Sequence, residues 1–118
     1  MEIYKILFFL IVYIFGSIPF AFILPKLFNH IDIRKIGSGN VGATNVLRTG
    51  NKFLAIIVLI SDIFKGFIPF FVLKQYYQND FSEFSIILIS SFAIIGHIFP
   101  VFLRFKGGKG VATYIGFL

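Results

Sequence analysis

From Ile6 to Pro25 the chain carries no charged residue. About twenty apolar residues are enough for a helix to cross the hydrocarbon core of a bilayer. Two further apolar runs follow, Phe53 to Leu73 and Phe84 to Phe105, broken only by the ionisable residues Asp62, Lys65, His97 and Arg104. Inside lipid every backbone N–H and C=O must find an internal partner, so uninterrupted runs of this length are expected to be helical. The expected fold is therefore all-α, a polytopic membrane helix bundle with spans at about residues 4–28, 53–73 and 84–105. Residues 1–118 are expected to form a single membrane domain, truncated in the closing "VATYIGFL", which starts a fourth span. A signal peptide is the rival reading of the first run, but its apolar stretch is too long and no A-x-A cleavage site follows. Pro19 and Pro25 fall near the far end of that run, where a kink is tolerated if neighbouring groups satisfy the freed backbone.

Composition narrows the function classes. The chain is 58% hydrophobic and 14% charged, whereas soluble domains are near half apolar and a quarter charged. It has no Cys, which removes disulfides, thiolate metal sites and cysteine nucleophiles. Neither paired carboxylates nor a metal-ligand cluster is apparent, so no metal and no cofactor is expected. The net charge of +6 could suggest nucleic acid, but such a module sets stacking aromatics among its bases on a soluble face. Here the aromatics lie within the apolar runs and the bases between them, which suits a membrane surface, the lipid bilayer, or an anionic ligand.

The bases also set orientation. Lys26, Arg34, Lys35, Arg48, Lys52, Arg104, Lys106 and Lys109 fall on one side of the expected spans, and only Lys5 and Lys74 on the other. The positive-inside rule places the rich side in the cytoplasm. Two Gly-rich loops then face inward, and the N-terminus and the 74–83 turn face out.

The first of these loops is "IGSGNVGATNVLR", Ile36 to Arg48. Gly37, Gly39 and Gly42 let the backbone approach a ligand, and successive N–H groups in such a turn make a concave anion site. Ser38, Asn40, Thr44 and Asn45 add side-chain donors. With helix from Ala43 onward, Thr44 and Arg48 share a face. Taken singly, each polar residue here is as readily a helix cap; the set ending on Arg48 points to an anion site. The second loop, "FKGGKG", lacks the G-x-x-x-x-G-K-[ST] pattern of a nucleotide loop. Taken alone it reads more readily as positive-inside lysines at a helix end; the other reading is a glycine hinge presenting Lys106 and Lys109 to phosphate. Asp62 and Lys65 sit at i, i+3 inside a span, where ionisable groups are usually paired; they are expected to form a structural pair beside the site, with Lys65 in reach of ligand. A histidine placed like His97 is more often a satisfied buried residue than a catalyst, and contact with substrate is its alternative role. No H-x-x-x-x-D follows either His, so chemistry here is expected to rest on positioning and phosphate electrostatics rather than on a protein base.

In this order and on these sides of the membrane, "GSIPF", "GSGNVGATNVLR", "DIFKG" and "GHIFPVFLRFKGGKGVAT" resemble the bacterial acyl-phosphate:glycerol-3-phosphate acyltransferases, the PlsY family. The resemblance covers essentially the whole chain. It implies an inner-membrane enzyme that transfers an acyl group from acyl phosphate to glycerol 3-phosphate, giving lysophosphatidate and phosphate, the first step of phospholipid synthesis. It further implies that Ser38 and Arg48 are essential, with Lys109 taken beside them as catalytic. Gly107, Gly108, Lys109 and Gly110 would bind phosphate. A His-Asn-Glu motif that the family carries in a later cytoplasmic loop has no counterpart within these residues, which would make the chain the N-terminal portion of such a protein. A transporter or channel for a phosphorylated or anionic solute, with Asp62, Lys65 and His97 along its path, is the alternative reading.

Overall fold

The computed structural model describes residues 3–118, leaving out the side chain of Asn29. Among the described residues six α-helices follow in order: α1 (Ile3–Gly16), α2 (Phe20–Asn29), α3 (Ala43–Leu47), α4 (Lys52–Tyr76), α5 (Glu83–Ile98) and α6 (Val111–Phe117). Among the described residues there is no strand. Three segments of the described residues are long and apolar enough to cross a membrane: Ile3–Phe28, Lys52–Tyr76 and Glu83–Leu103. At about 1.5 Å per residue, the 25 residues of α4 are sufficient for the crossing by themselves.

Two of the expected spans differ from the sequence reading. The first is a full break rather than a kink. Helix α1 stops at Gly16 and α2 begins at Phe20, because Pro19 has no N–H to donate and disfavours helical geometry at Ile18. Ser17 closes the end of α1 by donating its hydroxyl to the Tyr13 carbonyl at 2.9 Å. The third run, expected to continue to Phe105, leaves α-helix at Ile98. Pro100 follows, then a 3-10 turn at Val101–Leu103, and Arg104 and Phe105 take positive φ angles of 55° and 66°. Hydropathy persists through this stretch although the helix does not. Tyr13 ties it back to α1 by donating its hydroxyl to the Phe99 carbonyl at 2.6 Å.

Small residues set the helix packing. A methyl group on Gly16 of α1 would overlap the Ala93 carbonyl of α5, and one on Gly96 of α5 would overlap the Tyr13 carbonyl of α1. The same reciprocal arrangement joins Gly66 of α4 to Thr113 of α6 and Gly116 of α6 to Ile63 of α4. In lipid there is no hydrophobic drive between helices, so close backbone approach of this kind is a main source of association. The outer faces carry exposed Ile, Leu and Phe, among them Ile11, Phe53, Ile56 and Phe71, as a surface wetted by lipid tails demands.

The bundle has an apolar cluster at each end. One gathers Val12, Leu73, Phe81, Ile86 and Ile89 near the 77–82 turn. The other packs Ile33, Val41, Val46, Leu54 and Leu103. This second cluster draws Ile33, Val41 and Val46, all from the 30–51 connection, to 4% exposure or less. That connection is a packed platform on the end of the bundle.

Candidate functional site

The platform is built by one buried amide. Asn45, 1% exposed, directs its side-chain nitrogen at the carbonyls of Ile33 (3.1 Å), Ile36 (2.8 Å) and Asn40 (3.0 Å). A buried amide with its donors used in this way fixes the chain around it, since leaving them unmade is costly. Gly37 and Gly39 turn the loop at φ +51° and +74°, a region open to Gly without steric cost. The missing side chain at Gly37 also leaves room for Arg48, whose Cδ lies 3.0 Å from the place a Cβ would take. Arg48 Nη1 donates to Asn45 Oδ1 at 3.3 Å. The Ser38 hydroxyl oxygen accepts from the Asn40 N–H at 3.2 Å, which leaves its proton to donate elsewhere.

The cations of this loop divide. Arg34 forms a bidentate pair with Asp32 (3.1 and 3.0 Å) and stacks its guanidinium 4.5 Å from the Phe22 ring centroid. Hydrogen bonding from Arg34 holds the Asp32 carboxyl down to about 2. Arg34 is thus neutralised in place. Among the described residues no carboxylate pairs with Arg48 or with Lys109.

The second loop folds back over the end of α5. The Gly107 N–H donates to the Ile98 carbonyl at 3.0 Å, and the Gly108 N–H to the His97 carbonyl at 3.2 Å. These two N–H groups therefore cap a helix end. Both glycines are demanded by space: a methyl on Gly107 would overlap the His97 carbonyl, and one on Gly108 would sit 2.5 Å from His97 Nε2 and 2.6 Å from the Val41 carbonyl. Gly108 is where the two loops meet. Gly110, at φ +81°, turns the chain into α6.

Between the loops lies a cleft of about 360 Å³. Ser38, Asn40, Gly42, Thr44, Asn45 and Arg48 line it from the first loop, and Lys109 and Gly110 from the second. Asp62 and His97 reach it from the bundle. Gly37, Gly39, Lys65, Lys106, Gly107 and Gly108 stay outside its lining. Lys65, read from sequence as in reach of ligand, is 1% exposed and spends its ammonium on protein groups. It lies 2.8 Å from His97 Nδ1, 3.1 Å from the Ile18 carbonyl and 3.2 Å from Asp62 Oδ1. The Asp62 contact is a close ion pair but poorly aligned as a hydrogen bond, so Oδ1 has no directed donor.

An apolar wall of Leu59, Val111, Ala112 and Ile115 completes the cleft, and sequence reasoning did not find it. Leu59 stands three residues before Asp62, and Val111 and Ile115 are four apart, so helical spacing put each on a usable face. Among the described residues no group of three His, Asp or Glu could hold a metal ion.

A profile of the family described as Glycerol-3-phosphate acyltransferase matches residues 6–118. The Glycerol-3-phosphate acyltransferase of Wolbachia pipientis wMel is 49% identical over 118 residues, covering 100% of this chain and 59% of the relative. That of Bartonella quintana (strain Toulouse) is 54% identical over 110 residues, 92% of this chain and 51% of the relative. The crystal structure of PlsY, an integral membrane glycerol 3-phosphate acyltransferase, in its glycerol 3-phosphate form superposes with a TM-score of 0.85 at 38% identity. It covers 97% of this chain and 56% of that one. The lysophosphatidic acid form gives a TM-score of 0.84, again at 38% identity. The chain thus spans little more than half the length of the proteins it matches, and over that length it belongs to the glycerol-3-phosphate acyltransferase family.

Proposed function

We propose that this protein transfers an acyl group from acyl phosphate to the 1-hydroxyl of glycerol 3-phosphate, releasing lysophosphatidate and inorganic phosphate. The observation that carries the reading is the cleft itself: Arg48 and Lys109, each without a carboxylate partner among the described residues, come from two separate loops to line one opening beside an apolar wall. Two phosphates and one acyl tail have to meet there. Arg48 clamps one phosphate through its planar fork, and Lys109 holds phosphate as a point charge. Ser38 orients the reacting head group with its hydroxyl proton. Leu59, Val111 and Ile115 receive the start of the tail. Asp62 faces the same cleft, and its charge is offset by Lys65, which limits its repulsion of phosphate.

The hydroxyl oxygen attacks the acyl carbonyl carbon, and the bond from that carbon to the phosphate oxygen breaks. The departing phosphate takes the hydroxyl proton, so no side-chain base is needed. The test is to incubate membranes carrying the protein with labelled glycerol 3-phosphate and either acyl phosphate or acyl-CoA. Lysophosphatidate is expected from acyl phosphate alone; robust product from acyl-CoA with acyl phosphate inert would refute the proposed donor. The relatives found are acyltransferases, which leaves the transporter alternative without support.

The same proposal places the protein in the inner membrane of a bacterium with both loops cytoplasmic, on the strength of the Lys and Arg asymmetry. Because the chain has no Cys, single cysteines report sidedness cleanly. Asn51 is a poor site, since its side chain caps α4 by accepting the Leu54 N–H at 2.9 Å. Lys52 and Asn79 are both exposed. Cysteines at these two positions are expected to react with an impermeant reagent from opposite faces, and reaction of both from one face would overturn the topology.

A further inference from the structure

Lys65, Asp62 and His97 form a polar knot behind the cleft whose purpose the transfer chemistry does not state. As an ammonium paired with Asp62, Lys65 has three protons and no lone pair. Its three near neighbours are Asp62 Oδ1, the Ile18 carbonyl at the break between α1 and α2, and His97 Nδ1. At 2.8 Å from a donor of this kind, Nδ1 has to accept, so the ring proton sits on Nε2. That opposite ring edge is the one Gly108 rests against: Nε2 and the Val41 carbonyl both lie within 2.6 Å of the point a Gly108 Cβ would occupy. The backbone of the same residue contributes again, since the His97 carbonyl accepts the Gly108 N–H.

We propose that the Lys65–Asp62 pair fixes His97 as the tautomer protonated on Nε2, and that the imidazole serves as a peg on which the second loop seats, setting the position of Lys109 over the cleft. His97 is then a positioning residue that acts through Lys109. A ring free to rotate or to exchange tautomers would lose the Lys65 contact on one edge and alter the seat of Gly108 on the other. The dependence on Lys109 rests on the proposed acyl transfer; the tautomer does not.

The test therefore has two arms. The sequence holds two histidines, His30 and His97, and His30 is exposed at a positive φ that Asn tolerates. In the His30→Asn protein labelled with 15N-histidine, the His97 signals are expected to show a bare Nδ1 and a protonated Nε2. A protonated Nδ1, or an imidazolium, at neutral pH overturns the proposal. In the kinetic arm, His97→Asn keeps an acceptor near the place of Nδ1 and removes the far ring edge. It is expected to lower turnover about 10- to 100-fold, the scale of a displacement near 1 Å, with membrane abundance unchanged. In the Lys109→Ala background the same change is expected to add less than about twofold, because the two act as one unit. Fully additive losses, or near-normal turnover in His97→Asn, overturn the positioning role. Absence of turnover in the unsubstituted protein, with the tautomer as expected, would instead count against the proposed transfer.

Discussion

Lys65→Met is expected to remove most of the folded protein from the membrane fraction. The substitution keeps the length of the apolar stem but deletes the ammonium, which is nearly inaccessible at 1% exposure. The Ile18 carbonyl and His97 Nδ1 lose their donor, and Asp62 loses its ion-pair partner. Asp62, itself 2% exposed, is left as an uncompensated buried charge. Breaking a buried pair from one side costs about 3–5 kcal/mol, a large share of a net stability of about 5–15 kcal/mol. The companion Asp62→Asn/Lys65→Met protein carries no net charge in the knot and is expected to recover part of the loss. Abundance and thermal stability in detergent, measured for both single variants and the double, resolve the question. Normal stability of Lys65→Met would mean that the pair does not hold the bundle together.

That pair shows how far the sequence reaches. The i, i+3 spacing of Asp62 and Lys65 within an apolar run was enough to expect an ion pair, because both partners belong to one helix. The other two partners of Lys65 come from the α1–α2 break and from α5, and nothing local to "SDIFKG" points to them. The spans were readable for a similar reason: lipid forbids unsatisfied backbone, so a long uncharged run has few options. Hydropathy is blind to the backbone itself, however. It carried the third run past Pro100 to Phe105, where the missing N–H and the following 3-10 turn had already ended the helix. It also joined two helices across Ser17–Pro19.

The glycines make the same point at the cleft. Gly37 and Gly107 sit in loops of like composition, but the first supplies a positive φ and the second permits contact with the His97 carbonyl. Residue type alone could not separate the two jobs. Asn45 is a comparable case. Its sequence context suggests a ligand donor, and it lines the cleft, yet its amide protons point at three carbonyls of its own platform. Its amide oxygen accepts from Arg48 Nη1 at 3.3 Å, and under the proposed function its effect on a ligand runs through that contact.

Arg48→Ala and Lys109→Ala are each expected to reduce turnover about 30- to 1000-fold while leaving the protein in the membrane. Both side chains are exposed and neither takes part in an ion pair among the described residues, so their removal leaves no buried charge behind. Under the proposed function, what they lose is a charged donor to phosphate in a site walled on one side by apolar groups, worth about 2–4 kcal/mol of transition-state binding. Arg48→Lys should recover only part of the rate, since an ammonium cannot reproduce a two-pronged contact, and it also forfeits the guanidinium bond to Asn45 Oδ1. Ser38→Ala is expected to lower turnover as well, by removing the one proton its hydroxyl has free to donate. Initial rates with acyl phosphate and glycerol 3-phosphate, normalised to membrane abundance, separate these effects from loss of protein. Near-normal rates in Arg48→Ala, Lys109→Ala and Ser38→Ala together would remove the cleft as the place where the two phosphates meet.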